Sequence, residues 1–170
     1  MKLAFRALRE DEIDVRVAQI SEKGAQLLLY KDARCDMNIL DETVGPMGWQ
    51  RHHSRDNANC TVSIFDEDRK AWISKEDTGT ESNTEKEKGL ASDSFKRACV
   101  NWGIGRELYT SPFIWIKPEC FELKEKNGRK MTYDRFGVEK IITKEGVIRA
   151  LAIRNLSTGK RVFVWQEAGS

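Results

Sequence analysis

Two adjacent histidines, His52 and His53, and four cysteines without a C-x-x-C are all the imidazole and thiol this sequence offers. Zinc sites need such ligands at short fixed spacings, and none occurs. Cys35, Cys60, Cys99 and Cys120 therefore read as reduced core residues. No run approaches the roughly 18 apolar residues of a membrane span. The first residues carry charges where a secretory leader has its apolar segment. The expected compartment is the cytoplasm of the cell that makes the protein. G-x-x-x-x-G-K-[ST] is absent. Gly103-Ile104-Gly105 follows a helical pattern and has no lysine, so it is neither a P-loop nor a dinucleotide fingerprint. H-E-x-x-H and a nucleophile elbow are missing as well. No catalytic residue, metal or cofactor is expected, and an enzyme is not the natural reading. A two-metal nuclease with carboxylates scattered along the sequence stays open as an alternative.

Neither sign of charge dominates: the formal net charge is +2. Such a balance does not demand a polyanionic partner, nor does it exclude one held by a local basic groove. With 170 residues, 33% of them charged and 39% apolar, the chain reads most simply as one globular domain.

Most of the pattern converges on residues 84–106. Thr84 with Glu87 fits a capping box, Ala91, Phe95, Ala98, Cys99 and Trp102 recur at helical spacing, and Gly103 and Gly105 supply a stop. Asp93, Lys96, Arg97 and Val100 fall on the opposite face, where Asp93 and Arg97 can simply pair at i,i+4. Upstream, residues 3–9 read as a short amphipathic helix. Residues 14–20 and 25–30 read as a hairpin with Arg16 on its wet face, where solubility is a sufficient role. Asp32 caps a helix with Ala33, Met37, Leu40 and Val44 on one stripe, ended by Gly45-Pro46. Three strands follow, about 49–55, 59–66 and 70–77, as a meander. Beyond the long helix come Phe113-Ile114-Trp115-Ile116, a mobile polar stretch at 124–130, and a terminal hairpin, 147–155 with 160–166. The fold class is α+β.

Basic side chains interleave with aromatics along these elements: Arg16 and Tyr30 on the first hairpin, Arg51 and Arg55 with the two histidines on the first meander strand, Lys96 and Arg97 on the long helix. Phosphate neutralisation by Lys and Arg, joined to stacking on aromatics, is the chemistry of sequence-independent single-strand binding.

Leu27-Leu28-Leu29-Tyr30, the helix closing on Gly45-Pro46-Met47-Gly48-Trp49, the meander, and Asp93-Ser94-Phe95-Lys96-Arg97-Ala98 followed by Trp102-Gly103 resemble the annealing domain of the eukaryotic Rad-fifty-two recombination mediators. The resemblance is closer to their bacteriophage relatives, the Sak-type single-strand annealing proteins, and it covers roughly Val15 to Gly105. It implies a β-β-β-α core, an antiparallel meander on a long central helix, at residues 1–108, with residues 109–170 a β-rich extension packed on the same domain. It also implies a ring or helical homo-oligomer that binds single-stranded DNA by its backbone and anneals complementary strands into duplex without ATP. An exonuclease or a host single-strand-binding protein is the partner expected by family habit, and no membrane is. Lys96 and Arg97 match the family's helical phosphate contacts, Arg16 a basic residue of the groove, Tyr30 a tyrosine at the DNA surface, and Lys88 a further lysine. One departure stands out: Val100 occupies the place of a family arginine, so that either another side chain, Arg51 or Arg55, supplies that charge or binding is weaker at that point. The alternative is an end-protecting or RNA-binding module without annealing activity.

Overall fold

The computed structural model describes residues 2–80 and 86–169, and of residues 86–88 only the backbone. Two helices and eleven strands are present among them, all strand pairs antiparallel, so the chain is α+β. It divides into two compact units. A helix unit comprises residues 1–7 and 32–106; a sheet unit comprises residues 8–31 and 107–170. This partition differs from a division at residue 108, because the first hairpin shares a sheet with the C-terminal strands.

In the helix unit, α1 spans Ala33–Val44. The Asp32 carboxylate accepts from the Cys35 N–H at 2.8 Å, a cap of the kind that contributes about 1 kcal/mol. Gly45 ends the helix at φ 77°, a conformation that suits glycine. The buried stripe is Cys35, Asp36, Ile39 and Leu40. It is rotated from the expected one, and Ala33, Met37 and Val44 are only half-buried. Strands β3 (Trp49–Ser54), β4 (Asn59–Asp66) and β5 (Ala71–Thr78) form the meander. Cys60, Val62 and Ile64 of β4 turn to the core. There they meet the Ser94, Phe95, Ala98 and Cys99 face of α2 (Lys86–Trp102). The Trp102 indole N–H donates to the Val62 carbonyl at 2.9 Å. The expected cap residue Thr84 lies outside the described residues.

In the sheet unit, β1 (Ile13–Ser21) and β2 (Gly24–Lys31) form the hairpin, and β6 is Ile114–Ile116. With β9 (Phe136–Lys144), β10 (Val147–Asn155) and β11 (Arg161–Gln166) they make one six-stranded sheet, in the order β11-β10-β9-β1-β2-β6. Val15, Leu27, Ile114, Ile116, Phe136, Leu151 and Ile153 form its core. A bulge between Val17 and Gln19 resets the alternation, so that Ile20 rather than Gln19 opposes Ala25 and packs inward. Buried Asn155 closes the β10–β11 turn, accepting from Ser157 N–H and donating to the Cys120 carbonyl and Asp134.

Two expectations need correction. Residues 2–9 form no helix. The Arg6 guanidinium is drawn to Glu42 at 2.7 Å and the Leu8 N–H to the buried Glu107 at 2.8 Å, so tertiary partners outcompete a local ladder. The polar stretch at 124–130 is ordered as a small hairpin, β7 (Lys124–Lys126) and β8 (Arg129–Met131). Its Asn127-Gly128 turn has both residues at positive φ, the two-residue connection that suits strand twist.

Candidate functional site

The candidate residues fall into two sets, one per unit. In the sheet unit, Arg16 pairs across the hairpin with Leu28, and Asp14 pairs with Tyr30. Val15 and Leu29 face the core, so alternation puts these four on the outer face. The Arg16 guanidinium lies 4.9 Å from the Tyr30 ring centroid, and its Nε donates to Asp14 at 2.9 Å. With 61% of its side chain accessible, Arg16 keeps a guanidinium edge toward solvent while the ring and the carboxylate fix its direction.

In the helix unit, Lys96 and Arg97 are half-buried along α2. Arg97 Nε donates to Asp93 at 2.9 Å, the i,i+4 pair legible in the sequence. Asp93 also accepts from the Thr80 N–H at 2.7 Å. Burial raises its carboxyl, but the Thr80 N–H and the Arg97 guanidinium outweigh that and hold it below the usual carboxylate range. Arg97 is thus oriented by its own helix and by the exit of β5.

Arg51 is exposed on β3, on the side of the strand that faces α2. It pairs with Val62, and that parity turns it toward α2, with its guanidinium 4.7 Å from the Phe95 ring centroid. Beside it, burial first and then the Arg51 charge hold His53 below the ordinary imidazole range. Arg55 opens the β3–β4 turn, where Arg55, Asp56 and Asn57 all have positive φ. That turn is tied down by the Ser94 hydroxyl, which donates to the Asn57 carbonyl at 2.9 Å. Arg51 and Arg97 sit on opposite flanks of α2, one toward β3 and the other toward the end of β5. Lys88 lies in the first turns of α2.

Beside Val100 lies Arg106: its Nε and Nη2 donate to the Val100 carbonyl at 3.1 and 2.9 Å, and Nη2 reaches the Asn101 carbonyl at 3.0 Å. Lys75 joins it, with Nζ 3.2 Å from the same Asn101 carbonyl and 5.0 Å from the Trp102 ring centroid. The last carbonyls of a helix carry partial negative charge, which accounts for both cations collecting there. The signal for Arg106 was a cation just past a Gly-x-Gly stop, folded back by the chain reversal. Lys75 had only strand parity. Both went unread.

These features define a class of arrangement: exposed guanidinium and ammonium groups beside aromatic rings on an α+β scaffold. Comparison with protein-family models, with curated proteins and with solved structures finds no match. Among the described residues no group of His, Cys, Asp and Glu has the geometry to hold a metal ion, and no helix is long and apolar enough to cross a membrane.

Proposed function

We propose that the protein binds single-stranded DNA through its backbone and anneals complementary strands without nucleotide hydrolysis, as a homo-oligomer built on a β-β-β-α annealing core. The observation that carries this reading is Arg16 held over Tyr30 on an exposed sheet face. A pre-oriented guanidinium with a π-face beneath it suits a phosphate and its sugar, and it reads no base edge. The cations along α2 support the reading from the second unit, and Arg106 supplies the charge that Val100 does not. Meander strands β3 and β5 have unpaired edges within their sheet, a template for pairing between copies.

The test is stopped-flow pairing of two complementary oligonucleotides beside a binding titration at fixed salt. The expected result is similar affinity for unrelated single strands and accelerated pairing without ATP. Arg16→Ala and Tyr30→Ala should slow pairing at least as much as they weaken binding. Binding without any acceleration leaves a passive end-protecting or RNA-binding module, and strand cleavage on adding Mg²⁺ leaves a nuclease.

A further inference from the structure

On the outer face of the sheet unit, β6 carries a second feature. Phe113, Trp115 and Lys117 stand at alternate positions of an extended segment, and Trp115 pairs with Gln26 of β2. Gln26 shares its face with Leu28 and Tyr30, so Phe113 and Trp115 project on the side that holds Arg16. The two rings are nearly parallel, 9° between planes and 6.4 Å between centroids. Phe113 is 69% exposed and Trp115 39%. Gly24 holds the far side of Trp115: a Cβ there would come within 2.8 Å of the indole and 2.4 Å of the Ile116 carbonyl oxygen. The absence of a side chain at Gly24 therefore seats the indole against the hairpin end and fixes its plane. Lys23 directly precedes Gly24 and Lys117 follows Trp115 by two residues, and both are exposed.

We propose that Phe113 and Trp115 form a stacking platform for the unpaired bases of a single-stranded nucleic acid, with Lys23, Lys117 and Arg16 taking the adjoining phosphates. This rests on the single-strand reading and adds to it a site outside the residues matched so far. Parallel aromatic planes extend their stack by one planar group at a time, and each nucleobase presents such a plane whatever its sequence. Exposed cations adjoining the ring-bearing segment and the hairpin end favour a polyanion over an apolar protein surface, whose interface cores are depleted of charge. Stacking engages the face of a base and leaves its Watson–Crick edge open, so the contact is compatible with pairing.

The test uses the full-length protein with a labelled oligothymidylate and an abasic oligomer of the same length, at one salt concentration. Wild type should prefer the base-bearing strand by about tenfold, the scale of stacking one base on an aromatic. Phe113→Leu with Trp115→Leu should bind both oligomers at the abasic level with an unchanged salt slope. Phe113→Tyr with Trp115→Phe should retain the preference. Should the double leucine variant lose its fold by circular dichroism, Phe113→Leu alone, at the more exposed ring, carries the same expectation. Binding that ignores the bases in wild type, or a preference that survives in the leucine variants, overturns the platform and leaves DNA binding standing. Failure of wild type to bind either strand removes both readings. A leucine variant that keeps base preference but loses self-association assigns the face to contacts between copies and overturns the proposal.

Discussion

The candidate cations of the two units are held in opposite ways. In the helix unit three guanidinium groups are engaged from within: Arg97 by Asp93, Arg106 by the end of α2, Arg51 by the Phe95 ring. In the sheet unit Arg16 stands on an open pleat, braced by one carboxylate and one ring. A helix packed on a narrow sheet has flanks where strand residues meet helix termini, and cations settle into them. On the first hairpin of the sheet unit, Arg16 instead shares its face with the exposed Leu28 and Tyr30. Arg51, Arg97 and Arg106 are therefore coupled to the fold of their unit, whereas Arg16 is a surface charge.

Phe95→Ala tests that contrast most severely. The ring is fully buried, touches Trp49 and underlies Arg51, and losing it should cost about 3–5 kcal/mol. Denaturant unfolding should show the helix-unit transition moved far down and the sheet-unit transition unmoved. A single shared shift would mean the units unfold as one body, and the contrast would be only local. Next in size, Lys96→Ala with Arg97→Ala should flatten the dependence of log affinity on log salt by about 1–2 units, at about 0.7 per phosphate contact. An unchanged slope in a folded variant would return both residues to a purely structural role. Asp93→Asn sharpens the point, since removing the competing carboxylate should strengthen single-strand binding while lowering thermal stability. Arg106→Ala should flatten the slope by a further amount near 0.7.

The smallest expected effect is one of pH. His53 is held below its ordinary value in the folded state, so the unfolded chain binds more protons between the two values. The stability it confers is complete above the unfolded value of 6.5 and is lost as pH falls below it. In the sheet unit the Glu139 carboxyl is held down to about 2 by hydrogen bonds from Arg161 and then Arg154. Its contribution is present above 4.5 and fades only toward 2 as pH falls. Melting followed between pH 7 and pH 5 should therefore lower the helix-unit transition alone, and His53→Gln should remove most of that slope.

Much of the helix unit was legible because its signals are local. Asp32, Gly45-Pro46, the meander turns and the Phe95–Trp102 stripe all act within a few residues of themselves. Membership of the first hairpin in the C-terminal sheet was not legible, since it rests on the β1–β9 pairing of Asp14 with Gly137 and Val15 with Phe136, which leaves no local trace. The β7–β8 hairpin was missed although its Asn127-Gly128 turn was in view, because its flanking strands lack an apolar alternation to mark them. The contact of Arg51 with the Phe95 ring was not legible either, since it depends on the strand register that pairs Arg51 with Val62 and turns both toward α2.

The bulge in β1 has a consequence best put in the language of reading frames. A pleated strand carries one bit per residue, in or out, and every insertion or deletion inverts all that follows. Ala18 is an insertion already made, and it lets Ile20 be read as inward where simple alternation from Val15 and Val17 would read Gln19. Deleting Ala18 would remove the insertion and the bulge together, leaving Val17, Gln19 and Ile20 in plain alternation, with Gln19 still against Gln26, Ile20 still against Ala25, and Arg16 and Leu28 in register. The message at the Arg16 end is insulated from errors at the turn, so loop length there can drift without turning Arg16 or Tyr30 to the other face.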